Sequence, residues 1–197
     1  MIIIYLRGGL GNQLFQIYTG INYALENNHK FYFSDKHYQN YDEKTTIRKT
    51  YWDNLFLNLK KYINNNEEKI NKFKEESFLY QKIPNNLGNT YLIGYFQSYK
   101  YFYDNYHKIS EIIDINNTQL KIKNKFKFDY KNLCSIHFRY GDYKKYPDYH
   151  LNLDKNYFLQ ATNLIFQEKA KKNFLIFYEQ EDKIIVEKII NYELLSQ

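Results

Sequence analysis

Arg139 is the side chain in this sequence best placed to do chemistry. It stands within Ser135-Ile136-His137-Phe138-Arg139-Tyr140-Gly141-Asp142-Tyr143, where an apolar run meets a turn. Strand alternation puts Cys134, Ile136 and Phe138 on one face and Ser135, His137 and Arg139 on the other. His137 and Arg139 therefore point together as the strand ends. Ligands of open α/β sheets bind at the carboxyl ends of the strands, and an arginine there can clamp a diphosphate with forked hydrogen bonds. Gly141 permits a sharp turn, and Asp142 can fix that turn or orient Arg139. For this strand taken alone, an Arg–Asp pair that merely closes the strand end is an equal alternative.

A second group precedes it in Arg7-Gly8-Gly9-Leu10-Gly11-Asn12-Gln13. Glycines between a buried strand and a helix let the backbone approach a ligand closely. The helix start adds free N–H groups and positive potential for an anion. Asn12 and Gln13 carry amides that both donate and accept. Taken alone, the stretch reads more simply as a tight turn with an Asn cap. A dinucleotide fingerprint is a further rival: Gly9 and Gly11 fit its first two glycines, and Asp35 lies just past the second strand, where a ribose-binding acid would stand. Leu14, however, occupies the third glycine position and argues against a nicotinamide site.

The elements that position these groups follow from hydrophobic patterning. Ile2 to Leu6 is a continuous apolar run, the pattern of a strand buried on both faces. A helix is predicted after the glycines, with Leu14, Tyr18, Ile21 and Leu25 on one face, ending near Asn27-Asn28. Phe31 to Phe33 closes a βαβ unit. Trp52, Leu55, Phe56 and Leu59 suit an amphipathic helix. The polar stretch from Asn64 to Glu76 reads as a solvated helix or loop, and Pro84 and Gly88 mark a break. Tyr91 to Tyr95 reads as a strand, Tyr99 to Tyr106 as a helix and Lys121 to Lys131 as a linker. Beyond it come a strand from Leu133 to Phe138, a helix from Asp154 to Lys169 with Asp154 as its N-cap, a strand from Phe174 to Tyr178 and a helix from Asp182 to Leu195. The expected domains are 1–120 and 131–197, both α/β. Two βα repeats are few for a doubly wound sheet, so the second domain is expected to be incomplete, finished by a partner or cut short.

Composition narrows the function classes. The chain has 197 residues, 44% of them hydrophobic, and no stretch approaching the roughly 18 apolar residues of a membrane span. Without a basic leader, the sequence is expected to carry no signal peptide and to be cytoplasmic or peripheral to a membrane. The single cysteine, Cys134, reads as a small core residue and excludes a Cys-based zinc site. A net charge of +6 suits a nucleotide diphosphate or a nucleic acid. The lysines are scattered, and the buried apolar strands do not resemble a stacking platform for bases, so no nucleic-acid partner is expected.

Three ordered segments resemble one family. Gly8-Gly9-Leu10-Gly11-Asn12-Gln13-Leu14-Phe15-Gln16 is similar to the N-terminal signature of the α-1,2-fucosyltransferases of glycosyltransferase family 11. Ser135 to Tyr143 resembles that family's His-x-Arg-Arg-Gly-Asp-Tyr motif. Gly94-Tyr95-Phe96-Gln97-Ser98, followed by Lys100-Tyr101-Phe102, resembles a third family segment. His150, Tyr157-Phe158 and Leu175-Ile176-Phe177 fall where the family has comparable residues.

The resemblance implies a GT-B architecture, two Rossmann-like domains facing a cleft. It implies inverting transfer of fucose from GDP-fucose to a sugar hydroxyl of a glycan, a galactoside by family, with no metal and no cofactor. Arg139 would hold the phosphates, supported by His137 and Gly141, and Gly9, Gly11, Asn12 and Gln13 would line the same cleft from the other domain. Asp142 and His150 are the candidates for general base. Two departures stand out: Tyr140 occupies the position of a second arginine, and the sequence ends before a later family segment that helps build the donor site. The alternative reading is an inactive, shortened glycosyltransferase-like binding protein. An oligomer is compatible with either.

Overall fold

A run of branched apolar residues must be covered on both sides, and strand β1 (Ile2–Tyr5) is: Ile2, Ile3 and Ile4 are all buried. The computed structural model describes residues 1–34, 48–65, 70–145, 147–148, 150–167 and 173–190, apart from the side chain of Asp142. The chain divides into two compact units, Met1–Asn124 and Lys125–Gln197.

In the first unit β1 leads through α1 (Leu10–Glu26) to β2 (Phe31–Ser34), and β3 (Asn71–Lys74) and β4 (Thr90–Ile93) follow. All four strands run parallel in the order β2-β1-β4-β3, with Ile3 paired to Tyr32 on one side and Tyr91 on the other. This parallel sheet is compatible with a Rossmann-like unit. Ile2, Ile4, Phe33 and Leu92 join Ile17, Ile21 and Ala24 of α1 in the main core, while Ile3, Tyr91 and Ile93 form a smaller cluster from alternate positions. Helix α1 is buried well beyond one stripe. Two of its buried polar residues tie it to its neighbours: Tyr18 meets Ser110 of α2 (Tyr106–Ile113), oxygen to oxygen, at 2.8 Å, and the Asn22 amide donates to the Tyr101 carbonyl at 2.8 Å. The helix ends where the sequence places it, with Asn28 in the left-handed region.

Several expectations are corrected. Trp52 to Leu59 is a turn followed by a 3-10 helix, Leu57–Tyr62. The polar stretch from Asn64 to Glu76 contains β3, an edge strand held by its ladder to β4 and by Phe73, the one apolar side chain of the strand, which packs on the core. Tyr99 to Tyr106 is two short 3-10 turns, and the α-helix starts only at Tyr106. The expected linker is helical as far as Phe126, within α3 (Ile115–Phe126).

The second unit contains β5 (Leu133–Phe138), α4 (Lys155–Gln167), β6 (Asn173–Tyr178) and α5 (Lys183–Ile189). The strands pair in parallel, from Leu133 beside Asn173 to Phe138 beside Tyr178. Ile136, Phe138, Tyr140, Phe158 and Val186 form the core, with the Phe138 and Phe158 rings 4.1 Å apart. Asp154 caps α4 as expected, its Oδ1 accepting from the Tyr157 N–H at 3.0 Å. The opposite face of the pair exposes Ser135, His137 and Phe177. Cys134, expected in the core, is only half-buried.

Gly20 sets how closely α1 lies on β1, since a Cβ there would stand 2.2 Å from Cγ1 of the buried Ile4. In an ordinary helix interior Gly→Ala gains about 0.5–1 kcal/mol. Here Gly20→Ala is expected to destabilise by about 1–3 kcal/mol through overpacking, read from denaturant unfolding. A gain in stability would contradict the close approach.

Candidate functional site

The parallel register of β5 and β6 decides what meets at their carboxyl ends. Arg139 follows β5 and Glu179 follows β6, so the two stand side by side. Arg139 Nη1 donates to Glu179 Oε1 at 3.3 Å, and the guanidinium lies 4.3 Å over the Tyr143 ring. Tyr143 in turn stacks on His150, centroids 3.9 Å apart and planes within 10°. Guanidinium, phenol and imidazole thus form three layers. The Arg139 and Glu179 side chains are 32% and 46% exposed, so the pair is reachable by a ligand. A pair this exposed contributes about 0–1 kcal/mol; Glu179 orients Arg139 without locking it.

The turn after Arg139 is fixed by a carboxylate from α5's approach. Gly141 takes a positive φ of 37°, and a Cβ there would come within 2.9 Å of Glu179 Cγ, so glycine is needed both for the bend and for the acid beside it. The Gly141 N–H donates to Asp182 Oδ2 at 2.8 Å, while the Lys144 ammonium bonds Asp182 Oδ1 and lies 3.6 Å from Glu181. The Asp182 side chain is fully buried. Burial alone would raise its pKa, but the hydrogen bonds from Lys144 and Gly141 and the Lys144 charge outweigh it and hold the carboxyl below its usual range. The hydrogen bond to Asp182 in turn pushes Lys144 up, against a smaller opposing desolvation effect. Tyr140 turns into the core and donates to the Leu153 carbonyl at 2.8 Å. Burial, then the charges of Asp154 and Asp182, push its phenol up, so it remains a neutral structural donor at the position of the second arginine in the resembled motif.

The other expected residues of this unit fare differently. His137 is exposed on the face shared with Ser135 and Phe177, and among the described residues it has no hydrogen-bond partner. His150, which sequence alone places in a polar loop, is held by its stack on Tyr143. The Asp142 side chain lies outside the described residues; its backbone belongs to the turn Gly141–Lys145. Glu179, Lys144 and Asp182 were not foreseen as site residues. The signal for Glu179 was available, as the first acid after the apolar run ending at Tyr178.

In the first unit the glycine turn adopts the expected strand–turn–helix form. Gly8 has φ 76°, and Gly9 and Gly11 have open space where a Cβ would stand. Asn12 Oδ1 accepts from Gln97 Nε2 at 2.7 Å, joining the first and third motif segments. Gln13, expected to touch ligand, is completely buried: its amide donates to the Gly8 carbonyl at 2.9 Å and braces the turn from within. Gln16 holds the main chain of Arg7, accepting from its N–H at 2.9 Å and donating to its carbonyl at 3.2 Å. Leu14 packs on the core, and Asp35 lies outside the described residues.

Among the described residues no group of three or more His, Cys, Asp and Glu could hold a metal ion, and no helix is long and apolar enough to cross a membrane. No protein-family model matches the chain, and no solved structure matches it. The chain is 29% identical, over a 206-residue alignment covering 93% of it and 69% of the relative, to an alpha-1,2-colitosyltransferase of Escherichia coli. The likeness is to a glycosyltransferase and supports a glycosyltransferase-like enzyme.

Asp182→Ala leaves the Gly141 N–H without its acceptor and is expected to cost about 1–3 kcal/mol at neutral pH. Because the folded carboxyl titrates below its ordinary value of 3.8, the native contribution is present above that pH and is lost as pH falls through the lower folded value. The stability gap between wild type and variant, measured by urea unfolding, should hold from pH 7 to pH 5 and narrow below 3.8. A gap that widens in acid would contradict the assignment.

Proposed function

We propose that this chain transfers a deoxy sugar, fucose in the first instance, from a guanosine diphosphate sugar to a hydroxyl of an acceptor glycan. The observation that carries the reading is Arg139, reachable at the carboxyl end of β5 and steadied by Glu179 and Tyr143. In this reading the acceptor oxygen attacks the anomeric carbon as the bond to the diphosphate breaks on the opposite face, giving inversion. The leaving diphosphate gains negative charge, and a fixed arginine is suited to stabilise it without a metal or cofactor. An incoming phosphate competes with Glu179 for the guanidinium and displaces it at little cost. The attacking hydroxyl gives its proton to a base, for which Asp142 and His150 remain the candidates. By the family resemblance, Gly9, Gly11 and Asn12 of the first unit are also given a binding role.

The α-1,2 linkage and a galactoside acceptor follow from the family resemblance. The relative's name makes colitose the rival donor sugar. A second functional reading, binding without turnover, is favoured by one observation: Tyr140 is turned into the core and supplies no second cation.

Calorimetric titration with GDP tests the donor site. Wild type should bind; Arg139→Ala should weaken binding by about 2–3 kcal/mol, the range of a lost charge-assisted contact, and Asn12→Ala by less. Unchanged affinity in Arg139→Ala would overturn the reading. Incubation with GDP-fucose and a galactoside then separates transfer from binding alone, and GDP-colitose in its place separates the two donors.

A further inference from the structure

We propose that Arg7, Tyr95 and Phe78 form a subsite in the first unit for an acidic sugar, with Arg7 taking the sugar's carboxylate and the two rings taking its apolar face. The inference rests on the reading of the acceptor as a glycan and names its chemical class.

Arg7 follows β1, and its guanidinium lies 4.3 Å over the Tyr95 ring. Its Nε is shielded from solvent and has no hydrogen-bond partner, and among the described residues the guanidinium has no ion pair. This differs from Arg139, which has Glu179. A charge drawn partly out of water without a counter-charge is costly, so the arrangement has a place for an anion. The nearby acid Glu75 does not fill it: its carboxylate accepts from the Tyr95 N–H at 2.7 Å and the Phe96 N–H at 3.0 Å.

Those bonds make Tyr95 a fixed platform. Phe96 sits at φ 51°, a left-handed conformation that costs a non-glycine residue about 1–3 kcal/mol and persists where its surroundings over-determine it. The fully buried Phe96 ring and the Glu75 carboxylate supply that constraint. A Cβ at Gly94 would meet Glu75 Cβ at 2.5 Å, so the loop admits no side chain there. Phe78 stacks on Tyr95, centroids 6.1 Å apart and planes within 16°, yet is 71% exposed. Most of the Phe78 ring is thus offered to solvent beside a fixed tyrosine. The Asn12–Gln97 amide pair, at the neighbouring strand ends, offers further donors and acceptors for hydroxyls. Aromatic faces for C–H groups, amides for hydroxyls and an unpaired guanidinium for an anion together describe an acidic pyranose.

The test uses the full chain and two probes that differ only at C6, methyl glucuronide with a carboxylate and methyl glucoside with a hydroxymethyl group, followed by chemical-shift titration, with inorganic phosphate as a third probe. The glucuronide is expected to bind about ten-fold or more tightly than the glucoside. Arg7→Gln should abolish that preference and leave glucoside binding unchanged, and Phe78→Ala, a surface substitution safe for folding, should weaken the glucuronide several-fold. Equal binding of the two glycosides, no binding of either, or a preference that survives Arg7→Gln would overturn the proposal. So would phosphate binding that depends on Arg7 with no glucuronide preference, which would give Arg7 to a phosphate. GDP titrated into the same samples separates the failures: loss of the glucuronide preference with GDP binding intact sinks this subsite alone, whereas absent GDP binding sinks the donor reading.

Discussion

Two charged side chains brought together by strand register govern the second unit. Because β5 and β6 pair in parallel without a slip, Arg139 and Glu179 leave the sheet as neighbours although 40 residues separate them in the chain. Gly141, the buried Asp182 that holds it and the Tyr143–His150 stack surround that guanidinium. A register shift of one residue would send Arg139 toward the opposite face and dissolve the arrangement. Asp182 is the deeper support: it is buried, holds the turn through Gly141 and is compensated by Lys144. The exposed Arg139–Glu179 pair is weaker and therefore open to exchange with a ligand.

The first unit solves a similar problem with neutral groups. Gln13 and Gln16 brace the glycine turn from inside, tying the Gly8 and Arg7 main chains to α1, so that the outer side of Gly9 and Gly11 stays open. At the next strand end Glu75 does the corresponding work for the loop after β4. In both units a buried or partly buried polar side chain caps main-chain N–H groups beyond a strand, and the exposed side chains of that loop are presented as a consequence. Gln13 and Asn12 therefore part company: Gln13 turns inward and holds the Gly8 carbonyl, while Asn12 stands outside and meets Gln97.

The strands β1, β2, β5 and β6 and helix α1 were legible because their apolar runs are long enough to demand burial. Strand β3 was not: Asn71, Lys72 and Lys74 carry no apolar signal, and lysine suits the edge position the strand takes. The spacing of Phe56, Leu59 and Tyr62 fits a three-residue turn as well as a helix, and Leu57–Tyr62 takes the tighter form. Arg139 could be read from alternation within one strand. Its pairing with Glu179 could not, since it depends on register between strands, nor could the hold of Glu75 on the Tyr95 and Phe96 N–H groups, which depends on how β3 lies beside β4.

Contact between the Arg139 guanidinium and the phosphates of a bound nucleotide is open to direct observation. In nitrogen-15 spectra recorded as GDP is added, the Arg139 side-chain N–H and the Gly141 amide should shift together and saturate at the affinity found by calorimetry. An Arg139 resonance that stays still while GDP saturates the protein would contradict it.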